Sequence, residues 1–84
     1  MAGLLNVEVV TPEKRLWSGE AKSLSARTVE GDIGILPNHS EILSVLVDGQ
    51  VKVVAADGTT QEFTVRGGFL SVAKNRVSLL GEAE

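Results

Sequence analysis

The chain has 84 residues, enough for one small domain that buries about 60–65% of the surface of its unfolded chain. Cysteine is absent, which excludes disulfides, thiolate metal sites and thiol nucleophiles. Eight basic and eleven acidic residues give a net charge of −3. The basic residues are scattered between Lys14 and Arg76, and the chain has only three aromatic residues. Because nucleic-acid binders normally gather basic and aromatic side chains on one surface, we expect no nucleic-acid partner.

The apolar runs of the chain are short. Residues 33–36 form one of the longest, whereas a membrane-spanning helix needs about 20 residues. The N-terminus lacks a basic start followed by a long apolar segment, so we expect no signal peptide. These features predict a soluble chain without direct membrane insertion, and they are compatible with a peripheral position at a membrane.

Strand-like segments begin near the N-terminus. Residues 5–9 alternate between apolar and polar side chains, as in a strand with one buried face. Pro12 ends this strand because it lacks a backbone donor. A second extended run starts at Arg15, is interrupted near Gly19 and continues over residues 21–29. We interpret Gly19 as a bulge or a tight corner.

Two Asp-Gly pairs mark turns in the middle of the chain. Asp48-Gly49 lies between the strand-like residues 41–47 and 50–54, and Asp57-Gly58 leads into residues 60–65. Glycine accepts the positive φ of a tight turn, so each pair predicts a β-hairpin.

A pair of glycines, Gly67-Gly68, precedes a further strand over residues 69–72. The pair lacks the Gly-Lys-Ser/Thr ending and the following helix of a phosphate-binding loop, so we interpret it as a bulge. Residues 74–76 then predict a turn into a last strand over residues 77–80.

The overall pattern is that of an all-β protein. No segment of about ten residues has helical periodicity, and there is no repeat or low-complexity linker. Strands and turns at this spacing predict a small antiparallel β-sandwich or flattened barrel of about 8–10 short strands. We expect a single domain over residues 1–84.

Residues 30–39, EGDIGILPNH, concentrate polar and turn-forming residues, among them Glu30 and Asp32. These two acids are two positions apart, so in an extended backbone they point to the same side. Two carboxylates can bind a hard cation or perform acid–base catalysis, although a calcium loop has more oxygen ligands at regular spacing. The alternatives are a plain solvated turn and a turn that contacts a partner.

His39 is the only histidine, and no Gly-x-Ser-x-Gly elbow or similar signature accompanies it. A polar residue at a loop–strand junction, with or without a contact to a partner, is therefore favoured over a catalytic base. Trp17 is interpreted as a core or rim aromatic, with an anchor for a partner as the alternative. The residues alone indicate a binding or structural module with no evident catalytic residue.

Three parts of the chain together resemble the N-terminal β-sandwich domain of the epsilon subunit of bacterial F-type ATP synthase, the counterpart of the mitochondrial delta subunit. They occur in the family's order and cover nearly the whole chain: residues 7–13 with 16–19, residues 30–39, and residues 67–72 with 77–80. The most specific match is acid-Gly-Asp-Ile-Gly-Ile-Leu-Pro-x-His.

The resemblance implies a non-catalytic subunit of the central stalk of a proton-translocating ATP synthase. Such a subunit links the gamma subunit to the membrane c-ring, turns with both, and couples proton transport to ATP synthesis. The implied location is peripheral, at the cytoplasmic face of the bacterial cell membrane. No cofactor, metal or small-molecule ligand is expected in this domain.

The resemblance also implies which residues contact each partner. In the family an acid-Gly-acid turn faces the polar loops of the c-ring, which implies a c-ring interface at Asp32 first and Glu30 second. Those loops carry an arginine in the family, so the contact would be electrostatic. Family contacts with gamma lie near the end of the first strand and near the loop histidine, which implies a gamma-subunit interface at Thr11 and His39.

The family usually continues into a two-helix C-terminal domain that can inhibit ATP hydrolysis and in some members binds ATP. The sequence stops at residues 81–84, about where that domain would begin. It is either a truncated chain or a naturally short member of the family. We therefore expect neither an ATP site nor helix-mediated inhibition from these residues. Two other hypotheses stay open: a free-standing β-sandwich that binds a ligand or a protein, and an enzyme that depends on His39.

Overall fold

The computed structural model describes residues 3–83, which form strands, turns and loops without a helix. The seven strands are β1 (Leu5–Val10), β2 (Arg15–Thr28), β3 (Gly31–Ile35), β4 (Ile42–Leu46), β5 (Gly49–Ala55), β6 (Thr60–Ala73) and β7 (Arg76–Ala83). Within residues 3–83 there is no helix long and apolar enough to cross a membrane. The predicted all-β class is confirmed.

Five strands close into a flattened barrel. β1 pairs with β2, β2 with β5, β5 with β6, β6 with β7, and β7 returns to β1. β3 extends the sheet from β2, β4 extends it from β6, and one bridge between Thr28 and Leu46 joins β4 to β2. Every pair is antiparallel except β1 with β7, which run parallel. The closure leaves β3 and β4 as the outer strands.

The structure has seven strands, fewer than the predicted number of about 8–10, because two of them are long. β2 and β6 each have 14 residues. The first half of β2 pairs with β1 and its second half with β3 and β5. The first half of β6 pairs with β5, and its second half pairs with β4 and β7. Each long strand therefore pairs with different neighbours along its length, and two segments that look separate in the sequence are one strand.

The interpretation of Gly19 as a bulge is wrong. Gly19 remains in register opposite Val7, and the two nearby irregularities of β2 lie on either side of it, between Arg15 and Trp17 and between Ala21 and Ser23. A Cβ atom on Gly19 would lie 3.4 Å from the ring of Trp17. The glycine therefore gives the indole room to lie along the strand, where Trp17 is half-buried against the core. This packing agrees with the interpretation of Trp17 as a rim aromatic.

The hairpin predicted at Asp48-Gly49 is also wrong. β4 pairs with β6 and β2, whereas β5 pairs with β2 and β6, so the strands on either side of this turn are not neighbours. Leu46 and Val51 are both buried. The chain crosses here from β4 to a strand that does not pair with it, and both strands place their buried side chains in one core. Gly49 lies against the side chain of Arg27: a Cβ atom added to Gly49 would be 3.5 Å from the Cβ of Arg27.

The other predicted turns are confirmed. Asp57-Gly58 joins β5 to β6 as a hairpin, with φ of 91° at Gly58. The backbone N–H of Thr59 donates to Oδ1 of Asp57 at 2.9 Å. This backbone hydrogen bond lowers the pKa of Asp57, because it favours the ionised carboxylate. Lys74 and Asn75 both have positive φ, of 51° and 64°, as a tight turn between β6 and β7 requires.

The core is aliphatic and receives side chains from all seven strands. The buried members are Leu5, Val7, Val9, Ala21, Leu24, Ala26, Ile35, Leu46, Val51, Val53, Val65, Leu70, Val72, Val77 and Leu79. They are the inward positions of the alternating pattern. Burying that many aliphatic side chains is the main stabilising contribution available to a chain without disulfides.

Candidate functional site

The part of the chain that the structure describes has no assembled catalytic or metal centre. No group of three or more His, Asp or Glu side chains in residues 3–83 could hold a metal ion. Nδ1 of His39 lies 2.7 Å from the backbone oxygen of Ser40, and because a carbonyl oxygen only accepts, this nitrogen carries the proton. The bond fixes the tautomer of the ring, and within residues 3–83 no hydrogen bond or ion pair joins His39 to a nucleophilic hydroxyl or to a carboxylate.

The turn between β2 and β3 displays the two acids of the EGDIGILPNH segment. The buried hydroxyl of Thr28 donates to the backbone oxygen of Gly31 at 2.9 Å and accepts from the N–H of Glu30 at 3.1 Å. Gly31 has φ of 117°, which glycine adopts without a steric penalty. These features fix the turn and leave Glu30 and Asp32 exposed.

Replacing Thr28 with valine should lower the free energy of unfolding by about 1–3 kcal/mol, because valine removes both hydrogen bonds of the turn. Equilibrium urea unfolding would measure the loss, and amide hydrogen exchange at Glu30 should become faster. Thr28→Ser keeps the hydroxyl and serves as the matched control. Equal stability of the valine and serine variants would show that the hydroxyl does not hold the turn.

Asp32 is the better-defined acid of the turn because it has a partner in the chain. Asp32 and Arg27 are directly opposite each other in the β2–β3 ladder. Nε of Arg27 lies 3.2 Å from Oδ1 of Asp32. Glu30 has no comparable ion pair within residues 3–83. One of the two carboxylates is therefore already paired with an internal cation, and they belong to no group of three or more acids or histidines within residues 3–83.

The loop of residues 36–41 lies at the other end of β3. The backbone N–H of Asn38 donates to Oδ1 of Asn75 at 2.6 Å, which ties this loop to the turn between β6 and β7. The N–H of His39 donates to the backbone oxygen of Leu36 at 3.2 Å. Because the five residues of β3 separate them, His39 and the acidic pair lie at opposite ends of this strand.

Thr11 lies just after β1 and is buried, with 6% exposure. Its hydroxyl donates to the backbone oxygen of Lys14 at 3.1 Å and accepts from the N–H of Lys14 at 3.2 Å. By strand register, the turn of residues 11–14 is at the same end as the β2–β3 turn. We call this the acidic end. Thr11 is therefore grouped with Asp32 and not with His39.

An exposed apolar surface was not predicted from the sequence. Val45 pairs with Phe69, Phe69 with Leu80, and Leu80 with Val10, so these side chains form a row across β4, β6, β7 and β1. Phe69 is 54% exposed, and the neighbouring Leu43 is 77% exposed. We call these five residues the apolar strip. Contiguous exposed apolar side chains of this kind mark interaction surfaces.

A sequence signal for the apolar strip does exist. At four places an apolar residue that points outward stands next to one that points into the core: Val9-Val10, Val45-Leu46, Phe69-Leu70 and Leu79-Leu80. Each pair breaks the apolar–polar alternation of its strand. The register brings the four outward members together, and that register is not visible in any single strand.

The comparisons with known proteins settle the family. Residues 4–83 match the family described as the β-sandwich domain of the ATP synthase delta/epsilon chain. The chain belongs to this family. The resemblance that the three sequence segments carry is confirmed, and the match extends through the segments between them.

Similar delta/epsilon-family proteins come from actinobacteria. The ATP synthase epsilon chain of Streptomyces avermitilis is 48% identical over 82 residues, which are 98% of this chain and 66% of that protein. The epsilon chain of Micrococcus luteus is 53% identical over 73 residues, 87% of this chain and 80% of that protein. The chain thus spans about two thirds of the length of the Streptomyces relative.

Two solved structures share the fold of this delta/epsilon domain. A chain of the Euglena gracilis mitochondrial ATP synthase, in an OSCP/F1/c-ring structure, matches with a TM-score of 0.87 and 20% identity, over 93% of this chain and 50% of that chain. A chain of the Tetrahymena thermophila central stalk/c-ring structure matches with a TM-score of 0.78 and 21% identity, over 96% and 65%. At these identities the likeness establishes the fold.

Proposed function

We propose that this domain is a non-catalytic rotor component of a proton-translocating F-type ATP synthase, in which it links the gamma subunit to the c-ring. The observation that supports this role is the presence of two chemically different surfaces on one small domain. An apolar strip lies on one face, and a turn with exposed carboxylates lies at one end. A connector between a stalk protein and a ring needs two such surfaces.

The apolar strip is the proposed surface for gamma. Its centre is Phe69, with Val45 and Leu80 on either side in the ladder. Burying exposed apolar area contributes about 25 cal/mol per Å², and aromatic side chains at the centre of an interface often dominate its free energy. The strip offers a wide contact through which torque can be transmitted. A single polar contact does not provide such an area.

The proposed gamma contacts at Thr11 and His39 lie at the margins of this surface. Thr11 follows β1 and His39 precedes β4, the two strands at the limits of the strip. Since the Thr11 hydroxyl is bonded within its own turn, we infer that the exposed Pro12 and Glu13 make the contact there. His39 contributes from the opposite end.

The proposed c-ring surface is the β2–β3 turn of the acidic end, with Asp32 first and Glu30 second. Both carboxylates are exposed, and the turn that holds them is fixed by Thr28. An exposed ion pair contributes only about 0–1 kcal/mol, so complementary charge here mainly selects orientation and partner. Gamma and c-ring binding together would put the domain at the cytoplasmic face of the cell membrane as a peripheral component that couples proton transport to ATP synthesis.

Reversing the charge of Asp32 tests the assignment of faces. Asp32→Lys should weaken binding to a gamma–c-ring assembly about tenfold. The substitution removes one attraction and adds one repulsion, and together these change the binding free energy by about 1 kcal/mol or slightly more. Binding to isolated gamma should stay the same. Both affinities can be measured by surface plasmon resonance with the cognate subunits.

The matched control is Glu62→Lys, the same charge reversal at an exposed residue of β6 that pairs with Lys52 at 3.7 Å. It should affect neither partner as much as Asp32→Lys affects the c-ring assembly. An equal loss of both partners with Asp32→Lys would count against the two-surface arrangement. Failure of the unaltered chain to bind either partner would overturn the proposed function.

A further inference from the structure

The carboxylate proposed to face the c-ring is already paired within the chain. Nε of Arg27 lies 3.2 Å from Oδ1 of Asp32, with the two side chains 59% and 78% exposed. A cation on a partner surface therefore approaches an acid that has a cation beside it. The two cations can compete for Asp32 only if a partner binds at the acidic end, so this inference rests on the proposed function.

Arg27 is held near Asp32 by packing and by its strand. The Arg27 side chain lies along Gly49, where a Cβ atom would be 3.6 Å from its Cδ. Its backbone oxygen accepts from the N–H of Val47 at 3.1 Å, which fixes this part of β2 against the β4–β5 connection. The position of the guanidinium beside Asp32 is thus built into the strand register and the crossing of the chain at Gly49.

The pair is suited to exchange. Only Nε of Arg27 bonds to Asp32 within residues 3–83, and it bonds to one carboxylate oxygen. A guanidinium of a partner can bind a carboxylate through two parallel hydrogen bonds, which is the stronger geometry. An exposed pair such as Arg27–Asp32 contributes only about 0–1 kcal/mol, so a better-placed cation can replace it.

We propose that Arg27 competes with the partner's cation for Asp32, so that docking of the acidic end exchanges an internal ion pair for an intermolecular one. Arg27 then acts as a specificity residue. A partner cation placed directly opposite Asp32, where it can form two parallel hydrogen bonds, binds in spite of this competition. A cation placed elsewhere meets the repulsion of Arg27 without displacing it, which disfavours the wrong partner or register.

The test is a double-mutant cycle on binding to the gamma–c-ring assembly. Arg27→Gln keeps part of the aliphatic stem over Gly49 and removes the charge. It should tighten binding about two- to fivefold at low salt, the range that an exposed pair of up to about 1 kcal/mol allows. The gain should shrink at high salt, and it should be clearly smaller when Asp32→Asn is also present, because the two cations then have no carboxylate to compete for.

Lys22→Gln is the matched control, because Lys22 is an exposed cation of the same strand away from the acidic turn. It should tighten binding less than Arg27→Gln does. Thermal unfolding of each variant verifies that the fold is intact.

The outcomes separate this inference from the proposed function. If Asp32→Asn weakens c-ring binding but Arg27→Gln has no effect or weakens it, competition is wrong while the c-ring surface stands. If Arg27→Gln tightens binding equally in the Asp32 and Asp32→Asn backgrounds, the gain comes from the lower positive charge of the domain as a whole, and competition is again wrong. If Asp32→Asn leaves binding unchanged, both the c-ring surface and the competition are overturned.

Discussion

Replacing Gly68 with alanine is expected to destabilise the domain by about 3–5 kcal/mol, from backbone strain of about 1–3 kcal/mol and overpacking of similar size. Gly68 has φ of 130°, and a Cβ there would lie 2.0 Å from the backbone oxygen of Leu80 and 2.7 Å from Cα of Gly81. Those atoms belong to β7 and cannot turn away as a side chain can. A domain of this size has a total stability of only about 5–15 kcal/mol.

Urea unfolding of Gly68→Ala and Gly67→Ala would separate strain from collision. Gly67 lies in the same bulge with φ of 82°, but its nearest neighbour is 3.7 Å from the added Cβ. Its substitution should cost only the strain of a left-handed residue, about 1–2 kcal/mol. If the two variants are equally stable, β6 and β7 are not in close contact at Gly68.

Replacing Phe69 with aspartate should weaken binding to gamma by about 100-fold or more, because aromatic residues central to an interface commonly account for about 2–4 kcal/mol and tenfold in affinity is about 1.4 kcal/mol. Phe69 lies at the middle of the apolar strip, and its side chain is 54% exposed. An unpaired carboxylate in that position would also be desolvated on binding. The affinity for isolated gamma can be measured by isothermal titration calorimetry.

Two further variants make the Phe69 result specific. Thr64→Asp adds the same charge to an exposed position of β6 that pairs with β5, which is not part of the apolar strip, and gamma binding should remain within about twofold. Phe69→Ala removes the ring without adding a charge and should give an intermediate loss. Unchanged gamma binding in Phe69→Asp would show that the apolar strip is not the gamma surface.

Local signals were sufficient where one short segment decides the structure. Pro12 ends β1, Asp57-Gly58 forms a hairpin, and Gly67-Gly68 forms a bulge, as the sequence predicts. Asp48-Gly49 has the same local signal as Asp57-Gly58 but joins two strands that do not pair with each other. The dipeptide permits a turn, and the packing of the following strand decides where the turn leads.

The candidate surfaces show the same division. Exposure of Glu30 and Asp32 follows from their short polar turn, and the sequence indicates it correctly. The pairing of Asp32 with Arg27 requires the register of β2 and β3, which hydrophobic alternation alone does not define. Burial of the Thr11 hydroxyl likewise depends on how the β1–β2 turn closes.

The chain's own pattern was enough to establish an all-β domain, its family, and an exposed acidic turn in residues 30–39, because alternation, turn residues and motif are local properties. Barrel closure, the parallel pairing of β1 with β7 and the apolar strip depend on contacts between distant segments. Val10 and Leu80 are neighbours only because β1 and β7 pair across nearly the full length of the chain. Side chains that are merely apolar in the sequence thus become one surface through strand register.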